Sequence, residues 1–149
     1  MRETDKSIEE IVEEILSRDP RKIWSASCAI CSLSQNHEKI MKLAPYKKQI
    51  VHSTYGIELG GGLAPNKRFL KYALKIIEWH ERNEGCSCQL LGEQSNPDHL
   101  VEDGYFEMIE VVNCMNSTYV DYYRVRCKKC NTIYKVFERL SHMPWWEWK

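Results

Sequence analysis

The sequence predicts an α+β chain: about four α-helices over residues 1–85, then a three-stranded antiparallel sheet over residues 86–149. Three observations carry that reading. Through the first 85 residues, apolar side chains recur at the i, i+3, i+4, i+7 spacing of amphipathic helices. Beyond Cys86 this period gives way to runs of β-branched and aromatic residues with partial alternation. Two close cysteine doublets, Cys86-Ser87-Cys88 and Cys127-Lys128-Lys129-Cys130, bracket the strand-like region.

Ser7-Ile8-Glu9-Glu10 opens the first helix as a capping box, in which the Ser7 hydroxyl accepts from the Glu10 amide and Glu10 reaches back. Ile8, Ile11, Val12, Ile15 and Leu16 then form one stripe, flanked by Glu9, Glu10, Glu13 and Glu14 as a solvated or docking face. Asp19-Pro20 restarts the chain with an N-cap and a first-turn proline. Ile23, Ala26, Ser27, Ile30 and Cys31 make the inner face of the second helix, with Trp24 on its flank. The third helical stretch follows Gln35-Asn36 through Ile40, Met41 and Leu43. Pro45 breaks or kinks it, and it resumes from Tyr46 to Tyr55 with Ile50 and Val51 on one face. The Gly-rich stretch from Gly56 to Asn66 is a turn, and Asn66 is placed to cap a fourth helix running from Lys67 to about Asn83. Phe69, Leu70, Ala73, Leu74, Ile76 and Ile77 give that helix its apolar surface, and Gly85 stops it. The short connections allow helices to stack in hairpins, as in HEAT-like proteins.

Gly92 to Gly104, with Asn96-Pro97-Asp98 inside it, reads as loop. Strands are predicted over Tyr105–Val112, Tyr119–Arg126 and Thr132–Arg139, the first two joined by a hairpin loop through Asn113-Cys114-Met115-Asn116-Ser117. The two regions, 1–85 and 86–149, are expected to pack as one unit.

Charge excludes some functions. Lys+Arg and Asp+Glu both number 21, so no global field gathers nucleic acid or an anionic membrane. Residues 1–85 carry 14 basic and 12 acidic side chains, and residues 86–149 carry 7 and 9. The C-terminal region is thus acidic, unlike a nucleic-acid module. No apolar run approaches the ~20 residues of a membrane span, and Met1-Arg2-Glu3-Thr4-Asp5-Lys6 has no apolar signal core. A cytoplasmic location follows as the expectation. There, seven cysteines, an odd number, read as thiols and metal ligands rather than a disulfide framework.

A Cys-x-x-Cys knuckle between strands sets two sulfurs on one side of a tight turn, and a second doublet beside it completes a tetrahedral site. Cys86, Cys88, Cys127 and Cys130 are therefore predicted to hold a structural Zn²⁺. The doublets stand 38 residues apart, which leaves room for a hairpin, and a region of roughly 60 residues has little core of its own. Cys28-Ala29-Ile30-Cys31 lies inside a helix rather than at its N-terminus, where a thiol pKa would fall. It reads as core. Cys114 is a lone thiol. Gly60-Gly61-Gly62 lacks the Lys-Ser/Thr of a P-loop and follows no strand. None of His37, His52, His80, His99 and His142 falls in a zinc-hydrolase motif. Glu78 and His80 point to different helix faces, so His80 is read as an ordinary surface or interfacial residue. The tail, Met143-Pro144-Trp145-Trp146-Glu147-Trp148-Lys149, either packs back on the chain or anchors another protein.

Cys127-Lys128-Lys129-Cys130-Asn131 between two strands resembles a zinc-ribbon knuckle, and with Cys86 and Cys88 the resemblance covers roughly the last 60 residues. It departs in its Cys-x-Cys doublet and its acidic balance. The whole chain, small, helical and then metal-stapled, with no catalytic motif, also resembles in general character the immunity proteins encoded beside bacterial polymorphic or contact-dependent toxins. That likeness implies a non-enzymatic protein that neutralises a toxin domain by direct binding, and it assigns no partner-binding residue. The alternatives are a nucleic-acid-binding or regulatory zinc-ribbon adaptor, whose basic stripe would come from Arg124, Arg126, Lys128, Lys129 and Lys135, and a zinc enzyme with an open site.

Overall fold

A computed structural model describes residues 6–62 and 65–149. The N-terminal stretch Met1 to Asp5 and the end of the Gly-rich segment at Leu63 and Ala64 lie outside the described residues. The chain divides into two compact units, Met1–Ser87 and Cys88–Lys149.

Among the described residues the first unit holds five α-helices: α1 (Ile8–Ile15), α2 (Pro20–Ser32), α3 (His37–Leu43), α4 (Lys47–Thr54) and α5 (Lys67–Arg82). Their starts follow local chemistry. Ser7 Oγ accepts from the Glu10 amide at 3.1 Å, Asp19 Oδ1 from the Arg21 amide at 2.9 Å, and Asn36 Oδ1 from the Lys39 amide at 3.1 Å. Pro45 does not merely kink the third stretch. It sits in a 3-10 turn, Ala44–Tyr46, that separates α3 from α4, which makes five helices where about four were expected. Asn66 does not cap α5 with its side chain. Its Nδ2 donates to the Leu59 carbonyl at 3.1 Å, tying down the Gly-rich segment instead. Gly60 and Gly61 there adopt φ of 73° and 112°, the left-handed region glycine enters without cost. The helix ends at Asn83, itself left-handed with φ 53°, two residues before the expected Gly85.

Most of the predicted apolar stripes are buried, but Val51, predicted on one face with Ile50, and Met41 are exposed. Ile11 and Ile15 from α1, Ile23 and Ile30 from α2, Ile40 and Leu43 from α3, Ile50 from α4 and Ile76 and Ile77 from α5 are fully buried. The turn between α1 and α2 has an unusual member. Arg18 takes φ 61°, a conformation that costs a residue with a Cβ about 1 kcal/mol. Its Nη1 donates to the Ser53 carbonyl near the C-terminus of α4 at 3.1 Å, and Ser53 Oγ donates to the Leu16 carbonyl at 3.2 Å.

The second unit opens on a short helix, α6 (Pro97–Glu102), inside the segment predicted as loop. Asn96 Oδ1 accepts from the Asp98 amide at 3.0 Å and Pro97 occupies the first turn, so the residues that read as a loop signal in fact start a helix. Four antiparallel strands follow: β1 (Phe106–Asn113), β2 (Val120–Cys127), β3 (Ile133–Leu140) and β4 (Pro144–Trp148), in the order β1-β2-β3-β4. The first three lie one residue beyond their predicted spans. β4 corrects the expectation of three strands. The Trp-rich tail turns back through Ser141 to Met143 and pairs with β3, Val136 opposite Trp148 and Glu138 opposite Trp146. It is held from outside the sheet as well: the Trp146 amide donates to the Glu93 carbonyl and the Trp148 indole to the Ser95 carbonyl, both at 3.0 Å. Phe106, Tyr134 and Trp148 cluster at centroid distances of 5.5–6.3 Å. They form, with Tyr123, Val125 and Val136, the apolar side of the sheet.

Candidate metal centre

The turn between β2 and β3 is a tight knuckle. The Asn131 amide donates to the Cys127 carbonyl at 2.8 Å, and the Cys127 amide donates to the Thr132 carbonyl at 2.9 Å. Asn131 closes the turn at φ 64°, which its short polar side chain tolerates. From Tyr105, just ahead of β1, the carbonyl accepts from the Lys128 amide at 3.0 Å and fixes the knuckle against the sheet. Cys127, at the end of β2, is almost fully buried, and Cys130 stands exposed.

The other doublet lies on the stretch that follows α5. A 3-10 turn, Ser87–Leu90, places Cys88 in the interior with 2% of its surface exposed, and Cys86, two residues earlier, is half-buried. The sulfurs of Cys86, Cys88, Cys127 and Cys130 all lie within 4.8 Å of one another. The Cys88 and Cys130 sulfurs are 3.5 Å apart. A tetrahedron with metal–sulfur bonds of about 2.3 Å has sulfur–sulfur edges of ~3.8 Å. The cluster therefore has the size of a tetrahedral tetrathiolate site, and the four residues could hold a metal ion. Four soft sulfur donors at tetrahedral spacing suit zinc or iron.

Two hydroxyls support the sulfurs. Tyr134 Oη lies 3.1 Å from Cys88 Sγ and Thr132 Oγ1 lies 3.2 Å from Cys130 Sγ. Burial, the hydrogen bond to Cys88 and the negative charge of neighbouring cysteines all push the Tyr134 phenol upward. It thus stays protonated and donates to sulfur, as outer residues of thiolate sites do. Spacing made the four cysteines legible. The two hydroxyls were not, because no sequence pattern tells a tyrosine or threonine that it faces a sulfur.

The remaining cysteines stand elsewhere. Cys28 and Cys31 are half-buried on α2 rather than wholly enclosed. The Cys31 thiol lies 3.6 Å from the Phe69 carbonyl, and burial, then the Cys28 thiol, raises its pKa, the opposite of a reactive cysteine. Cys114 is exposed in the β1–β2 loop.

His80 corrects its sequence reading. Only 4% exposed, it donates from Nε2 to the Ser34 carbonyl at 2.7 Å. Its Nδ1 is then the acceptor facing His37 Nδ1 at 2.8 Å, which makes the exposed His37 the donor. Gln35, beside it in sequence, donates to the Ser87 carbonyl at 2.9 Å and accepts from the Ser87 hydroxyl at 3.0 Å.

Of the five basic residues named for a stripe, Lys128 is exposed and the other four lie against neighbours. Arg124 pairs with Glu110 and Arg126 with Glu107, each at 3.0 Å. Lys135 lies over the Tyr122 ring and Lys129 over the Tyr105 ring.

Among the described residues, no helix is long and apolar enough to cross a membrane. Fold and site together define a class: an α+β chain whose small antiparallel sheet carries a four-cysteine cluster able to hold a metal ion. No family model matches the chain, and neither a curated protein nor a solved structure does.

Proposed function

We propose that this chain is a non-enzymatic protein-binding protein whose C-terminal sheet is built around a structural Zn²⁺ held by Cys86, Cys88, Cys127 and Cys130. The observation that carries the metal reading is the convergence of four sulfurs within 4.8 Å, from two stretches of chain 38 residues apart. Four thiolates fill the tetrahedron and leave no position for water or substrate, which supports a structural ion over a hydrolytic one. Pairing of Arg124 and Arg126 with carboxylates weakens the nucleic-acid alternative, whose affinity depends on cations free to meet phosphates.

The specific form of the proposal is an immunity-type inhibitor in the cytoplasm that neutralises a toxin domain by stoichiometric binding. It rests on the general character of the chain. The tests separate the layers. X-ray absorption of the purified protein is expected to show one zinc with four sulfur neighbours, and an oxygen or nitrogen in the first sphere would refute the closed site. Co-expression with the product of the adjacent gene is expected to yield a 1:1 complex and to relieve that product's toxicity. Absence of a complex at micromolar concentrations would sink the immunity reading and leave the metal reading standing.

A further inference from the structure

On the first unit an open hollow of about 560 Å³ is lined by Arg18, Lys47, Lys48, Val51, His52 and Tyr55. Five of these six residues fall on α4 and its cap at spacings of one, four and eight, so they share one side of that helix. Arg18 reaches the same place from the α1–α2 turn.

The lining is strongly asymmetric in charge. It holds three permanent cations and a histidine, with no carboxylate among the six. Lys47 is balanced by Glu81 at 2.7 Å. Among the described residues the Arg18 guanidinium meets a backbone carbonyl and no carboxylate, which leaves four of its five N–H donors for another acceptor. Lys48 is exposed beside them. Like charges gathered in one concavity repel each other until an anion enters.

Arg18 gives the second, independent observation. A turn that needs φ near 61° is ordinarily served by glycine or asparagine. Here an arginine takes the strained conformation; one hydrogen bond from its guanidinium to the Ser53 carbonyl and one from Ser53 to the Leu16 carbonyl tie the turn to α4. Strain held in place by tertiary bonds is the pattern of a residue kept for its side chain. The remaining walls are apolar: Val51 is half exposed and the Tyr55 ring is 85% exposed, a flat face open to stacking.

The geometry points to a binding site for a nucleoside diphosphate, its phosphates between Arg18 and Lys48 and its base against Tyr55 and Val51. A guanidinium fork beside an ammonium matches phosphate oxygens, and an exposed ring above an aliphatic wall accepts a base face. None of the six residues belongs to the cysteine cluster, so this site stands or falls apart from the zinc reading.

Calorimetry on the full-length, metal-loaded protein tests it with ADP, inorganic pyrophosphate and adenosine as probes, at low and moderate salt. ADP is expected to bind at least tenfold more tightly than pyrophosphate, and adenosine more weakly than either. Lys48→Gln and Arg18→Gly should each weaken ADP binding at least tenfold. Arg18→Gly relieves the backbone conformation, so the fold survives it, and an unchanged far-ultraviolet spectrum confirms that. Tyr55→Ala should weaken ADP several-fold and leave pyrophosphate unchanged. No ADP binding at millimolar concentration, equal affinity for ADP in wild type and Arg18→Gly, or binding only to a polyanion such as heparin would each overturn the assignment.

Discussion

The two units solve the problem of a stable interior differently. Among the described residues the helical unit encloses fifteen apolar side chains, nine of them fully buried isoleucines and leucine from five helices. The sheet unit encloses eight, and two of those are Cys88 and Cys127. Apolar burial alone can hold the first together. The second is about 60 residues with half the interior, a size at which domains commonly need a metal or disulfides. The difference teaches where a metal would contribute most in this chain: where side chains from one face of a twisted ribbon cannot enclose one another.

Removing the metal should break that comparison most severely. A strong chelator, or Cys127→Ser, is expected to abolish the cooperative unfolding of the sheet unit, since structural zinc contributes on the order of 10 kcal/mol to small domains. Ellipticity at 222 nm from the helices should largely persist. Loss of both signals together, or of neither, would refute the contrast. Trp148→Ala comes next. It opens the cluster with Phe106 and Tyr134 and leaves the Ser95 carbonyl without its indole donor, at a cost of about 3–5 kcal/mol read by denaturant unfolding followed at the sheet. Ile76→Val in the helical core should cost about 1 kcal/mol and leave metal affinity unchanged. The smallest effect is at Glu147. The hydrogen bond from Arg139 first, and then Lys149, hold its carboxyl below the ordinary value. A carboxyl depressed in the folded state adds stability above its unfolded value, and that addition fades as pH falls through the folded value. Glu147→Gln should therefore lower the melting temperature at neutral pH, by less as pH falls through the folded value, and only slightly throughout because the pair is exposed.

What could be read in the sequence follows the range of each signal. Helical stripes such as Ile11 with Ile15 and Ile76 with Ile77 are local periodicities, and the structure buries all four. Ser7 and Asp19 declare helix starts within three residues and accept the expected amide bonds, and Asn36, after which the third helix was read to begin, caps it in the same way. The four cysteines stood out because doublet spacing is itself the ligand geometry. The misses needed distant partners. The tail behind Pro144 packs back on the chain, one of its two readings, but that it does so as a fourth strand depends on β3, Glu93 and Ser95. His80 reads as an ordinary surface or interfacial residue because Ser34 and His37, the groups that make its near-complete burial tolerable, lie more than forty positions away. Asn96-Pro97-Asp98 was ambiguous in kind, since the same residues begin turns and short helices.

The strand order β1-β2-β3-β4 has a kinetic meaning. Each strand pairs with its neighbour in sequence, so every hairpin can form by closing a short loop and the ribbon can zip from any turn. Bringing Cys86 and Cys88 to the knuckle closes a loop of 38 residues, and its entropic cost exceeds that of any single hairpin. Cys127 and Cys130 are thus brought together as soon as one turn is made, and the other pair joins them only after this longer closure. A chain emerging from the ribosome presents those groups in the reverse order. Cys86 and Cys88 wait, uncoordinated, until some forty further residues have been synthesised.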